Sequence, residues 1–461
     1  MKRFLVIVLT PLLISSYLIH GAAAASPAAG SKCSKVGQTA ISAGKTFTCV
    51  KTGRLLVWNK GVALKKPSVT PMPQSSPSPI SSPAPTPVVS SSPTPTPTPT
   101  PQIKNQIPIT LPVPITGSIN FTNAAENYAQ IPQVAWQRVQ DVIAANPAVN
   151  IPTTIDIGPN TKADLGIITN SLNRLYKLFS GFDHFNSYFG IIYNAKDLSW
   201  AQVDASSLFK TQGIKGILTG TESIKQQSEA GCEINGTIAV NCYGGMALPF
   251  KDGGNNFGGA FYGVENTYTG GGQSRDFWTA AEKYAGPMTQ VTHEGTHNYQ
   301  FAQFFDTPFS AGQHTAADQS HTFTPWWFSE GQANGIGIPV FIDDYQSYLN
   351  VRSQTTNRKP DSRAKVPEFT PEGMKAFLMN YQSTGPDNYN WSLAYSIGYS
   401  AVEALIAIGG PQSTMALYAL GGNGEDWSTA FQHVYGITWD QGATVIGKVL
   451  AAEYTAKPLG N

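Results

Sequence analysis

The sequence predicts an α+β fold. Two observations lead there. Hydrophobic residues make up 41% and aromatics 11%, enough to bury a substantial core. Helix-like and strand-like runs alternate between residues 133 and 193, and beyond Arg275 the pattern is mostly helical to the end. With 30 basic against 29 acidic side chains, the formal charge is only +1, which argues against a nucleic-acid binder that depends on a basic face. Charged residues are 13% of the total while Gly (44) and Pro (33) run high, a surface wetted by neutral polar groups that suits a secreted protein.

Lys2 and Arg3 precede an apolar run, Phe4 to Ile19, interrupted by Thr10, Pro11, Ser15 and Ser16, and then come Gly21 and Ala22 to Ala25. A basic start, a short apolar stretch and small residues before a cleavage point describe a secretory signal peptide over residues 1–25. No later stretch offers about 18 consecutive apolar residues, so the mature chain is expected to have no membrane span. Cys33 and Cys49 lie in one short segment, and Cys232 and Cys242 in another. Two local disulfides are the natural pairing in an oxidising compartment, and neither pair has the spacing of a zinc ribbon or a thioredoxin-type site. The expected location is outside the cell, free or associated with the envelope.

Residues 32–62 read as a small module of short strands and glycine turns that folds alone only with a Cys33–Cys49 staple. It resembles a short cysteine-paired module found near the start of secreted bacterial proteins, a resemblance that implies no chemistry and suggests a spacer or a cell-wall contact. Residues 63–118 form a Pro/Ser/Thr-rich linker ending its densest part in P-T-P-T-P-T-P-T-P, expected to be disordered and extended at about 3.1 Å per residue. The working domain is then 119–461. Its expected elements are a helix from Gln133 to Ala145, a strand from Thr153 to Gly158, a helix from Ala163 to Phe179 and a strand from Tyr188 to Tyr193. The glycine-rich stretch 252–273, around F-Y-G-V-E-N-T-Y-T, reads as an edge strand between flexible loops.

Residues 293–297 read H-E-G-T-H, with Gly286 and Pro287 upstream to start a helix. On a helix, positions four apart share a face, so His293 and His297 can address one metal ion. Glu294 is rotated about 100° away and can address a water beside that metal. Two imidazoles hold a metal weakly, so a third ligand is required. Gln300 and Gln303 stand where a metzincin would need Gly and His, which excludes that branch. Downstream, residues 325–333 read P-W-W-F-S-E-G-Q-A, with Glu330 on a second helix whose Gly331 and Ala333 are small enough for close helix approach.

These two motifs resemble those of the gluzincin metallopeptidases, in which H-E-x-x-H is followed by a W-x-x-E-G-x-A helix. The resemblance implies a zincin-like, two-lobed domain with a helical C-terminal lobe, one catalytic zinc ion and peptide-bond hydrolysis. Carried over by position, His293, His297 and Glu330 are the zinc ligands and Glu294 the general base. His314, Asp318 and His321 are competing ligands in the intervening loop. Some gluzincins carry an acid four residues past the glutamate ligand, where this chain has Asn334, whose amide can still accept from an imidazole N–H. Gluzincin aminopeptidases carry a tyrosine three residues before a glycine as transition-state donor. Tyr395, three before Gly398, matches it, with Tyr399 one turn on as the fallback. Gly263-Val264-Glu265-Asn266 resembles the G-x-M-E-N strand whose glutamate captures a substrate amine, with Val in place of Met. His433 reads as a packing or surface residue.

The leading expectation is therefore a secreted zinc metallopeptidase acting on a peptide or protein. The rival is a non-catalytic cell-envelope binding protein on the same scaffold, and a weaker third is a zinc hydrolase of some other substrate.

Overall fold

A computed structural model describes residues 29–32, 36, 39–42, 45–52, 55–60, 62–63, 105–214, 219–231, 233–234, 237–238, 244–252, 255–264, 289–308, 315–360, 363–380 and 390–460. The expected signal peptide, most of the linker, Cys33, Cys232, Cys242, Glu265, Asn266 and His314 lie outside them. The chain divides into two units, 1–97 and 98–461.

In the first unit, β1 (Thr39–Ser42), β2 (Lys45–Thr52), β3 (Leu55–Trp58) and β4 (Val62–Ala63) form an antiparallel sheet centred on β2. Cys49 is disulfide-bonded and packs with Phe47 and Trp58 as a three-residue core.

The second unit is a mixed α+β body. Irregular chain from Asn105 leads to α1 (Ile131–Ala145), β5 (Thr153–Ile157), α2 (Leu165–Leu178) and β6 (Ser187–Asn194). Next come α3 (Leu198–Gln212), α4 (Gly220–Gly231), a hairpin of β7 (Glu233–Ile234) and β8 (Thr237–Ile238), β9 (Gly244–Ala247), β10 (Phe250–Asp252) and β11 (Asn255–Val264). Thereafter the described residues hold helices alone: α5 (Gln290–Ala302), α6 (Ala316–Phe323), α7 (Trp326–Phe341), α8 (Tyr345–Thr356), α9 (Pro371–Met379) and α10 (Trp391–Leu393). A π-helical turn, Ala394–Gly398, joins α10 to α11 (Tyr399–Gly409), followed by α12 (Pro411–Gly422), α13 (Trp427–Tyr435) and α14 (Trp439–Ala456). No helix among the described residues is long and apolar enough to cross a membrane.

The four early elements fall where the sequence puts them, within one to two residues at each end. β6 pairs in parallel with β5 on one side and β11 on the other, while β9 and β10 pair antiparallel to the outer side of β11. The glycine-rich strand is thus interior to the sheet, not at its edge. Its glycines serve close approach: a Cβ on Gly258 or Gly259 would run into the rings of Phe185 or Phe189. β6 is buried on both faces. Tyr188 and Ile192 join the main core, whereas Phe189, Ile191 and Tyr193 meet α3 in a second cluster with Phe209 and Phe261.

One further expectation changes. Residues 105–118 are part of the packed body instead of linker: Val113 is buried and its N–H donates to Val434 O at 2.8 Å.

Candidate metal centre

The centre is built on α5, and α5 is unusual in being buried on every side from Val291 to Ala302 while carrying many polar side chains. Such a helix is stable only where those groups find internal partners. Thr292 Oγ1 donates to Gly337 O at 2.7 Å, and Thr296 Oγ1 to Thr292 O at 2.7 Å. Asn298 exchanges two hydrogen bonds with the backbone of Gly259, accepting from its N–H at 2.9 Å and donating to its O at 2.8 Å. That pairing seats the helix on β11. α7 lies alongside, and Gly337 lets it close in: a Cβ there would stand 2.8 Å from His293 N. On its other side, Gly331 meets the backbone of Gly398, where a Cβ would stand 2.4 Å from the carbonyl.

These approaches bring His293, His297 and Glu330 together. The two Nε2 atoms are 3.1 Å apart, and each is 3.4 Å from Glu330 Oε2. All three side chains are buried, and Glu330 Oε2 has no hydrogen-bond partner. His293 Nδ1 pairs with Asn334 Oδ1 at 2.9 Å, and His297 Nδ1 with Gln300 Oε1 at 2.8 Å. Amide oxygens only accept, so each ring donates from Nδ1 and, when neutral, turns the Nε2 lone pair inward. With both rings neutral, two lone pairs and a carboxylate oxygen converge, an arrangement that a cation satisfies once it displaces the further proton His297 holds. Ligand bonds of about 2.0–2.2 Å in a tetrahedron put neighbouring donor atoms about 3.3–3.6 Å apart, close to the spacing seen here. The group can hold a metal ion.

Electrostatics separate the two carboxylates. Burial alone would raise the pKa of Glu330, but His297 and His293 outweigh it and hold the carboxyl well below its usual range. Glu294 is raised: burial dominates, the two imidazoles oppose it only in part, and Glu330 reinforces it. The Ala247 N–H on β9 donates to the Glu294 carboxylate, which also fills the space where a Cβ of Gly245 would be, 2.2 Å from Oε1. For His297, burial pulls the pKa down, while Glu330, Glu294 and Gln300 together lift it to about 9.

Tyr395 lies on the π-helical turn, with its ring stacked on that of His293 at 5.9 Å and its hydroxyl bonded to Glu330. Burial and then the carboxylates of Glu330 and Glu294 keep the phenol protonated, so it is a hydrogen-bond donor at any ordinary pH. The Arg358 guanidinium stands over the same ring at 5.9 Å. Tyr399 is elsewhere: its hydroxyl bonds Tyr348 at 3.1 Å, beside Arg352 and Glu403.

Of the competing ligands, Asp318 is spent as the capping-box residue of α6. His321 packs between the rings of Trp326 and Phe301, and burial, then His297, lowers its pKa to about 4. His433 is at the surface with Glu425 at 3.0 Å. Sequence reasoning missed Gln300, Gly245 and Gly337. The first sits one turn from His297, so helical spacing alone could have found it; the other two act across the fold and leave no local trace.

No family model matches the chain, and no curated protein or solved structure matches it, so the site itself carries the functional argument.

Proposed function

We propose that this chain is an exported zinc metallopeptidase of gluzincin type with a zincin-like fold. The observation that carries the reading is the convergence of three buried side chains able to hold one metal ion, His293, His297 and Glu330, beside a fourth group, Glu294, whose pKa is raised. Two imidazoles and a carboxylate are a donor set that suits zinc and leaves a coordination position open. A bound zinc ion supplies Lewis acidity, acidifying a water toward about pH 7 and polarising a carbonyl oxygen.

The protein's own groups do the rest. Glu294 takes a proton from water as its oxygen attacks the scissile carbonyl, then passes that proton to the departing amine. A raised pKa makes it a stronger base for this purpose. Tyr395, held protonated, donates to the oxygen on which negative charge develops. β9 pairs with β11 and lies beside Glu294, a placement that would suit main-chain pairing with an extended peptide. The signal-like N-terminus and the disulfide-bonded Cys49 support export.

The test is the full mature chain incubated with a diverse peptide mixture, with and without chelator, alongside Glu294→Gln. The expected result is one zinc per chain and chelator-sensitive cleavage. Glu294→Gln should retain the metal and lose about 10²–10⁴ in turnover. Undiminished turnover in the variant would remove the base assignment. A folded chain with no metal and no cleavage would point instead to an envelope-binding protein.

A further inference from the structure

Behind His297 runs a chain of buried amides. Gln300, Ser329, Gln332 and Thr414 are all 0% exposed. Gln300 Nε2 donates to Ser329 O at 3.0 Å and to Gln332 Oε1 at 2.8 Å. Gln332 Nε2 donates to Thr414 Oγ1 at 2.9 Å, and Thr414 Oγ1 donates to Pro411 O at 2.7 Å. Backbone carbonyls can only accept, so the two at Ser329 and Pro411 fix the direction of every bond between them. With its NH₂ committed, Gln300 must present Oε1 toward His297, where it also accepts from Ser329 Oγ at 3.1 Å.

We propose that Gln300 is a positioning residue of the metal centre, and that the α7–α12 amide chain behind it fixes which nitrogen of His297 faces the metal. The inference rests on the metal-binding part of the proposed function, not on peptide hydrolysis. The matching partner of His293 is Asn334, whose Nδ2 donates to Tyr395 O at 3.3 Å. Both imidazoles are therefore backed by neutral amides. A carboxylate at position 300 would keep the acceptor and add negative charge, strengthening the hold on a cation.

The experiment measures zinc affinity of the full chain by competition with a chromophoric chelator, together with the visible spectrum of the cobalt-loaded form. Gln300→Leu should weaken zinc about 10–100-fold and shift the cobalt bands. Gln300→Glu should bind as tightly as wild type or tighter. Gln303→Leu, one turn on in the sequence, loses comparable buried hydrogen bonds to Asp183 O and Tyr299 O, and should leave zinc affinity within about threefold. The proposal is overturned if Gln300→Leu binds zinc like wild type, if Gln303→Leu weakens it equally, or if Gln300→Glu is as weak as Leu. In that last case the contacts to Ser329 and Gln332 matter and the acceptor does not. Should Gln300→Leu not fold, Gln300→Glu decides alone: retained affinity supports the proposal and a tenfold loss sinks it. A wild-type chain that binds no zinc overturns both the inference and the reading of the site, whereas one whose variants all bind equally overturns the inference only.

Discussion

Glu294 and Glu330 are both buried at one site, yet their surroundings push them in opposite directions: Glu330 faces two imidazoles and stays ionised, while Glu294 is held up by burial. One can serve as a permanent ligand and the other as a base that exchanges a proton. The same charges set a competition at His297. Raised to about 9, it holds at neutral pH a proton that an incoming cation must displace. Zinc affinity should thus weaken about tenfold for each pH step downward below that value, measurable by calorimetry in buffers of different ionisation enthalpy. Zero proton release at pH 7 would contradict it. A second carboxyl pair lies away from the site. Asp204 is raised to about 6, first by burial and then by Asp156. Between about pH 4 and that value the folded chain keeps a proton the unfolded chain has released, so stability falls as pH rises through this window. Asp204 is only half-buried, which limits the cost to about 1 kcal/mol after screening. Asp204→Asn should therefore melt higher at pH 7.5 and unchanged at pH 3.5; a lower melting point at pH 7.5 would count against the pairing.

At the scale of elements, the parts of the site that a single helix fixes were readable in the sequence. His293, Glu294 and His297 follow from the helical repeat, and Glu330 from the resemblance of a second motif on another helix. The π-helical turn was not readable, although it is what stacks Tyr395 on His293 while Tyr399, one turn on, faces Tyr348. β9 was also missed, because four residues with two glycines carry no hydrophobic alternation. The glycines of β11 misled for a related reason: flexibility and close approach demand the same residue, and only tertiary neighbours distinguish them. β9 makes its own prediction. A methyl group at position 245 would displace the Glu294 carboxylate, so Gly245→Ala should lower turnover about tenfold or more with zinc content unchanged. Loss of zinc together with activity would mean that the strand holds the whole centre, not the base alone.

Across the whole molecule, the helices beyond the site are tied by a second buried polar network. Arg352 on α8 donates to both oxygens of Glu403 on α11 at 2.6–2.9 Å and to Glu453 on α14 at 2.6 Å, and Tyr348 also donates to Glu403. Removing one partner strands a buried charge, so Glu403→Ala should cost about 3–5 kcal/mol in denaturant unfolding while leaving zinc affinity unchanged. A loss below about 1 kcal/mol would show the network to be dispensable. The α+β class and the early elements were legible from composition and periodicity. The docking of residues 105–118 was not, because a Pro-rich stretch reads as linker until its neighbours are known. That docking has a mechanical side. Asn105 donates through its side chain to the carbonyl of Gln303, at the end of α5, and through its N–H to Asn423 Oδ1 at 2.7 Å. A pull applied at Asn105 would therefore be shared between the foot of the helix carrying both imidazoles and the end of α12.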